Sequence, residues 1–107
     1  MGRPAKFKRE DCDTAIDLME KGFSKTAVAS VLSINRNTLY SWCRRYDEFS
    51  DAIKVGELKS FGFWEKAGML AIMGKLENFN SSVWIFTMKT RFHKILRQEM
   101  EQNEGFY

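Results

Sequence analysis

The chain has 107 residues, a formal charge of +3, 44% hydrophobic and 14% aromatic residues and two cysteines. That length holds one small domain, or a small domain with an appendage, and the apolar content excludes a wholly disordered chain. The mild basicity suits a nucleic-acid partner, whereas Cys12 and Cys43 with one distant histidine, His93, make neither a disulfide scaffold nor a structural zinc site.

The two cysteines are read as core thiols of a reducing compartment, and no metal or other cofactor is expected. No apolar run reaches membrane-spanning length and no signal segment opens the chain, so the expected location is cytoplasmic. Pro4 is the single proline, which favours long helices.

Residues 1–7, MGRPAKF, form a short basic arm kept non-helical by Gly2 and Pro4. Arg3, between them, has the setting of an arm that enters a narrow minor groove; the alternative is a solvated terminus. The pattern then predicts a helix over 9–21, with Cys12, Ala15, Ile16 and Met19 on its apolar side, acidic residues in its first turn and Gly22 as its stop. Ser24 has the character of an N-cap for a short helix, Lys25 to Leu32, with Ala27, Val28, Val31 and Leu32 apolar.

Ser33-Ile34-Asn35 is a tight turn, and Asn35 can cap a third helix, Arg36 to Tyr46. Leu39, Trp42, Cys43 and Tyr46 fall at i, i+3, i+4 and i+7, which makes them the inward stripe and places the cations elsewhere. Helix, short turn, helix, with the small Ala29 at the crossing, is a helix-turn-helix arrangement. Ser33 stands where such turns favour glycine, because the backbone there tends to positive φ. Residues 1–47 carry nine Lys/Arg against six Asp/Glu, while residues 48–107 carry eight of each. All the excess positive charge thus lies in the half that would meet phosphate.

From residue 48 the chain turns apolar and aromatic. A long helix is predicted over 49–73, with Ala52, Ile53, Gly56, Ser60, Phe63, Trp64, Ala67, Leu70 and Ala71 on roughly one side and Gly74 at its end. After a connector, Asn80 can cap a last helix from Ser81 to about Glu101. This helix is apolar on more than one side, so cover is expected from the 49–73 helix as an antiparallel hairpin and from another subunit; the alternative is that both helices pack back onto the N-terminal helices in a monomer. The expected organisation is all-α: a helix-turn-helix DNA-binding domain (1–47), a helical hairpin oligomerisation region (48–101) and a tail (102–107).

The stretches SKTAVASVLSINRNTLYSW, FGFWEKAG and FNSSVWIFTMKTRF, with the opening GRP, together resemble the small terminase subunits of tailed bacteriophages. The likeness spans residues 2 to about 92, and its most specific part is Trp84-Ile85-Phe86, Met88-Lys89 and Arg91-Phe92. Beyond Phe92 the chain runs His93-Lys94-Ile95-Leu96 and departs from the family's usual continuation. The resemblance implies viral DNA packaging in the host bacterial cytoplasm: binding of a packaging site on double-stranded DNA, assembly as a ring-like homo-oligomer, and recruitment of a large ATPase/nuclease subunit. It also implies that Arg36, Asn37, Thr38, Tyr40, Ser41 and Arg44 occupy recognition-helix positions. Arginine suits guanine and asparagine suits adenine, while Lys25, Arg45, Arg3 and Lys6 are candidates for DNA contact around them. Phe61, Trp64, Trp84, Phe86, Met88 and Phe92 are the candidate oligomerisation residues.

No catalytic residue is expected. Residues 68–75 read GMLAIMGK but are followed by Leu76, so a P-loop's Ser/Thr for Mg²⁺ is missing, and no strand precedes them. His93 has no nucleophile near it in sequence. The competing functions are a dimeric helix-turn-helix transcriptional regulator and an assembly adaptor whose basic half is only a solvated face.

Overall fold

Six α-helices make up the regular structure of the computed structural model, which describes residues 6–104, with side chains through 102. They are α1 (Glu10–Glu20), α2 (Lys25–Val31), α3 (Arg36–Arg45), α4 (Asp47–Ile72), α5 (Ser81–Arg91) and α6 (His93–Glu104). No strand occurs among the described residues, so the protein is all-α with an N-terminal helix-turn-helix. The chain divides into two compact units, the first ending at Phe63 and the second beginning at Trp64.

Capping chemistry sets the helix ends of the first unit. The Lys8 N–H donates to the Asp11 carboxylate at 2.9 Å as α1 starts. Ser24 Oγ accepts from the Ala27 N–H at 3.3 Å, and Asn35 Oδ1 accepts from the Thr38 N–H at 2.8 Å, satisfying donors that α2 and α3 leave open. At the C-terminus of α1, Gly22 (φ 96°) lets the Phe23 N–H reach back to the Leu18 carbonyl while its own N–H bonds Met19. The end of α2 repeats this 6→1 and 5→2 pattern: Ile34 N–H to Ala29 O at 2.9 Å, and Ser33 N–H to Ser30 O at 3.1 Å. The turn between α2 and α3 is therefore a Schellman motif, and Ser33 takes the left-handed position with φ 58°.

The core joins Ala15 and Met19 of α1, Val28 and Ala29 of α2, Leu39 and Trp42 of α3, and Phe49 and Ile53 of α4. Phe49, Ala52, Ile53, Gly56 and Ser60 are buried along one face of α4. At Gly56 a Cβ would come within 2.6 Å of Met19 Sδ, so the absent side chain permits α1 to approach. Ser60 is fully buried, and its hydroxyl donates to the Phe23 carbonyl at 3.3 Å. The helix-turn-helix thus buries its apolar faces against the first half of α4, and the unit reaches well past residue 47. Phe7 belongs to it too: its ring stacks on Tyr46 (4.3 Å between centroids) and meets Trp42 and Phe49 edge-on at 5.4 and 5.6 Å.

In the second unit the end of α4 packs against α5. The Trp84 indole N–H donates to the Trp64 carbonyl at 2.7 Å, its ring lies against Gly68, and the Arg91 guanidinium sits 5.6 Å from the Trp64 ring centroid. Asn80 caps α5 through the Val83 N–H at 3.0 Å.

The single last helix expected from Ser81 to about Glu101 is instead two. Phe92 leaves helical geometry (φ −117°, ψ 21°) between α5 and α6, while its carbonyl already accepts from the Leu96 N–H. Two local causes meet here. The Thr90 hydroxyl donates to the Phe86 carbonyl at 2.8 Å, a back-bond that weakens and bends helices. The Phe92 side chain is almost fully buried, with Arg91 over its ring at 4.8 Å.

Candidate nucleic-acid interface

The exposed side of α3 follows from its buried side. Leu39 and Trp42 point into the core, so at about 100° per residue Arg36, Asn37, Tyr40, Ser41 and Arg44 share the opposite arc. Arg36, Asn37 and Arg44 are exposed, and Tyr40 and Ser41 are half-buried. Two residues flank this arc. Thr38 is half-buried with its N–H held by Asn35, and the Arg45 guanidinium lies 5.5 Å from the Tyr46 ring centroid at the edge.

Tyr40 is the centre of a charged cluster. An Arg36 Nη donates to its hydroxyl at 3.2 Å, and the Lys25 ammonium from α2 lies 5.4 Å from its ring centroid. The Arg36 hydrogen bond, with help from Lys25, lowers the Tyr40 phenol below its ordinary pKa. Lys25 also pairs with Glu57 of α4 at 2.9 Å, so α2, α3 and α4 all contribute to this surface. Lys6 is exposed immediately before the Phe7 anchor. Arg3 lies outside the described residues.

The arc presents guanidinium, amide and hydroxyl groups that can reach base edges, beside cations that can reach phosphate. The family model for the helix-turn-helix domain of resolvase matches residues 2–41, which run through α1 and α2 into the first turns of α3. The N-terminal part of this chain is a helix-turn-helix DNA-binding domain. Comparison with curated proteins and with solved structures found no match.

Both cysteines are free and half-buried. Burial pushes the Cys12 and Cys43 pKa values up, and Glu48, Asp13 and Asp11 add to the rise at Cys12. Among the described residues no group of His, Cys, Asp and Glu could hold a metal ion, and no helix is long and apolar enough to cross a membrane.

The residues expected at a subunit interface separate into two sets. Phe61, Met88 and Phe92 are buried within the chain, and Trp64 and Trp84 are half-buried. Phe86 is 68% exposed, and the second unit also exposes Met69, Ile72, Met73 and Val83. Glu57 borders this surface as well, because it pairs with Lys25. Its signal in the sequence is faint: it sits on α4, in the half of the chain whose net charge is zero.

Proposed function

We propose that this protein is the DNA-recognition subunit of a viral genome-packaging machine, of the terminase small-subunit type, acting in the cytoplasm of a bacterial host. It binds double-stranded DNA at a packaging site through the α3 arc and self-associates through the second unit. It delivers the DNA to a separate large subunit that holds the ATPase and nuclease. No chemical step is assigned to this chain.

The observation that carries the reading is the joining of two features. A helix-turn-helix with a polar, cationic arc on α3 is followed by a helical unit that leaves Ile72 88% exposed and Phe86 68% exposed. Such a surface favours burial against further copies. The match to a helix-turn-helix domain alone suits a dimeric transcriptional regulator equally well, and assembly size separates the two.

The test pairs solution mass at several concentrations with duplex binding by fluorescence anisotropy. A defined assembly larger than a tetramer supports the packaging reading, and a clean dimer favours the regulator. Arg36→Ala with Arg44→Ala should weaken binding by about 1–3 kcal/mol per lost base contact and leave the mass unchanged. Unaltered affinity at low and moderate salt would refute the α3 assignment.

A further inference from the structure

Glu57 stands out on the nucleic-acid surface because it has the wrong sign for it. It lies on α4, beyond the residues that match the helix-turn-helix family model, so it belongs to what this chain adds to that motif. Its carboxylate holds the Lys25 ammonium at 2.9 Å, and the same ammonium lies 5.4 Å from the ring centroid of Tyr40, in the middle of the α3 arc. Both partners keep over a third of their side-chain surface in solvent, so each can swing away without unpacking the core. The field of Glu57 reaches Tyr40 itself, where it opposes the lowering of the phenol by Arg36 and Lys25.

We propose that Glu57 competes with DNA phosphate for Lys25, so that Lys25 is held by α4 in the unbound protein and must be released before it can contact the backbone. The proposal rests on the DNA-binding role of α3. The chemistry is an exchange of like for like. A phosphate oxygen and a carboxylate oxygen are both anionic acceptors for the same three ammonium donors. They cannot share the ammonium closely without mutual repulsion. Glu57 is therefore a positioning residue: it parks Lys25 against Tyr40 and sets a threshold that a weakly held duplex must pass. One consequence is discrimination. A duplex seated by the base contacts of Arg36, Asn37 and Arg44 brings phosphate to Lys25 in a fixed place, whereas a loosely sliding duplex does not.

The test uses the 107-residue chain and a mixed-sequence duplex, with dissociation constants measured by fluorescence anisotropy at low salt. Six proteins are compared: wild type, Glu57→Gln, Lys25→Gln, Lys25→Arg, and the two double variants that combine Glu57→Gln with each Lys25 change. Glu57→Gln keeps the side-chain shape and should bind about two- to five-fold more tightly, the range expected from releasing an exposed ion pair. In the Lys25→Gln background the same change should have no effect, because the competition it relieves is gone. Lys25→Arg, which keeps the charge, should restore the Glu57→Gln effect. Thermal unfolding of each variant confirms that the fold is retained.

Four results overturn the proposal. Equal affinity of wild type and Glu57→Gln shows that the pair is not in competition with DNA. Equal tightening in both backgrounds shows general charge repulsion without Lys25. Weaker binding by Glu57→Gln makes the carboxylate a base reader, accepting from cytosine for example. If wild type and every variant fail to bind duplex at low salt, the DNA-binding role itself falls, and the proposal falls with it.

Discussion

Two glycines six residues apart on α4 should respond to the same substitution with opposite signs. At Gly62 nothing stands within 4 Å of a new Cβ, so Gly62→Ala gains helix propensity alone, about 1 kcal/mol. At Gly68 the new Cβ would press on Trp84 Cζ2 and come within 2.9 Å of Cε2 and 3.0 Å of Cη2. The indole is a rigid plane held by its bond to the Trp64 carbonyl, so it cannot yield as a flexible side-chain tip would. Overpacking of this kind costs about 1–3 kcal/mol, and losing the indole hydrogen bond costs about 0.5–1.5 more. After the propensity gain, Gly68→Ala should be destabilised by about 0.5–3.5 kcal/mol. Far-UV circular dichroism melts measure both, at about 4–8 °C per kcal/mol for a domain of this size. Tryptophan fluorescence should also shift in Gly68→Ala as the indole moves. If Gly68→Ala melts as high as Gly62→Ala with an unaltered emission spectrum, Trp84 does not pack on α4 as described.

Two further predictions concern the first unit. Ser33 holds φ 58°, where a Cβ is strained, so Ser33→Gly should raise stability by about 0.5–1 kcal/mol in urea titrations. A lower midpoint would mean that the serine hydroxyl makes a contact worth more than the strain. Phe7→Ala removes a half-buried ring stacked among Tyr46, Trp42 and Phe49, and should cost about 1.5–3 kcal/mol. The neighbouring Lys6→Ala should stay within about 0.5 kcal/mol of wild type. Equal losses from both would show that residues 6 and 7 act as one exposed arm.

Much of the fold was legible because its punctuation is local. Ser24, Asn35 and Asn80 cap helices with side chains placed three residues before the N–H they serve, a spacing visible in the sequence. Gly22 and Gly74 mark left-handed stops, and Ser33 announces the same geometry by standing where glycine is favoured. Leu39 and Trp42 show the buried side of α3 by their spacing, and the polar arc follows from it. Other features depend on partners distant in sequence. Phe7 follows Gly2 and Pro4 in a stretch with a loop's composition, and only the nearness of Trp42, Tyr46 and Phe49 turns it into a core residue. Phe92 continues the apolar spacing of a helix, so the break there is invisible to periodicity. Glu57 is an ordinary solvated glutamate by sequence, and its meaning comes from Lys25, thirty-two residues earlier.

The first half of α4 has a bearing on how this DNA-binding module can be excised or exchanged. A fragment trimmed at the end of the motif, near residue 47, discards Phe49, Ala52, Ile53 and Ser60 and leaves Met19, Trp42 and Phe7 facing water. The transplantable cassette therefore has to run to residue 63, well beyond the C-terminal end of the motif. Any chimaera that imports α4 from another protein must also answer for what stands opposite Lys25.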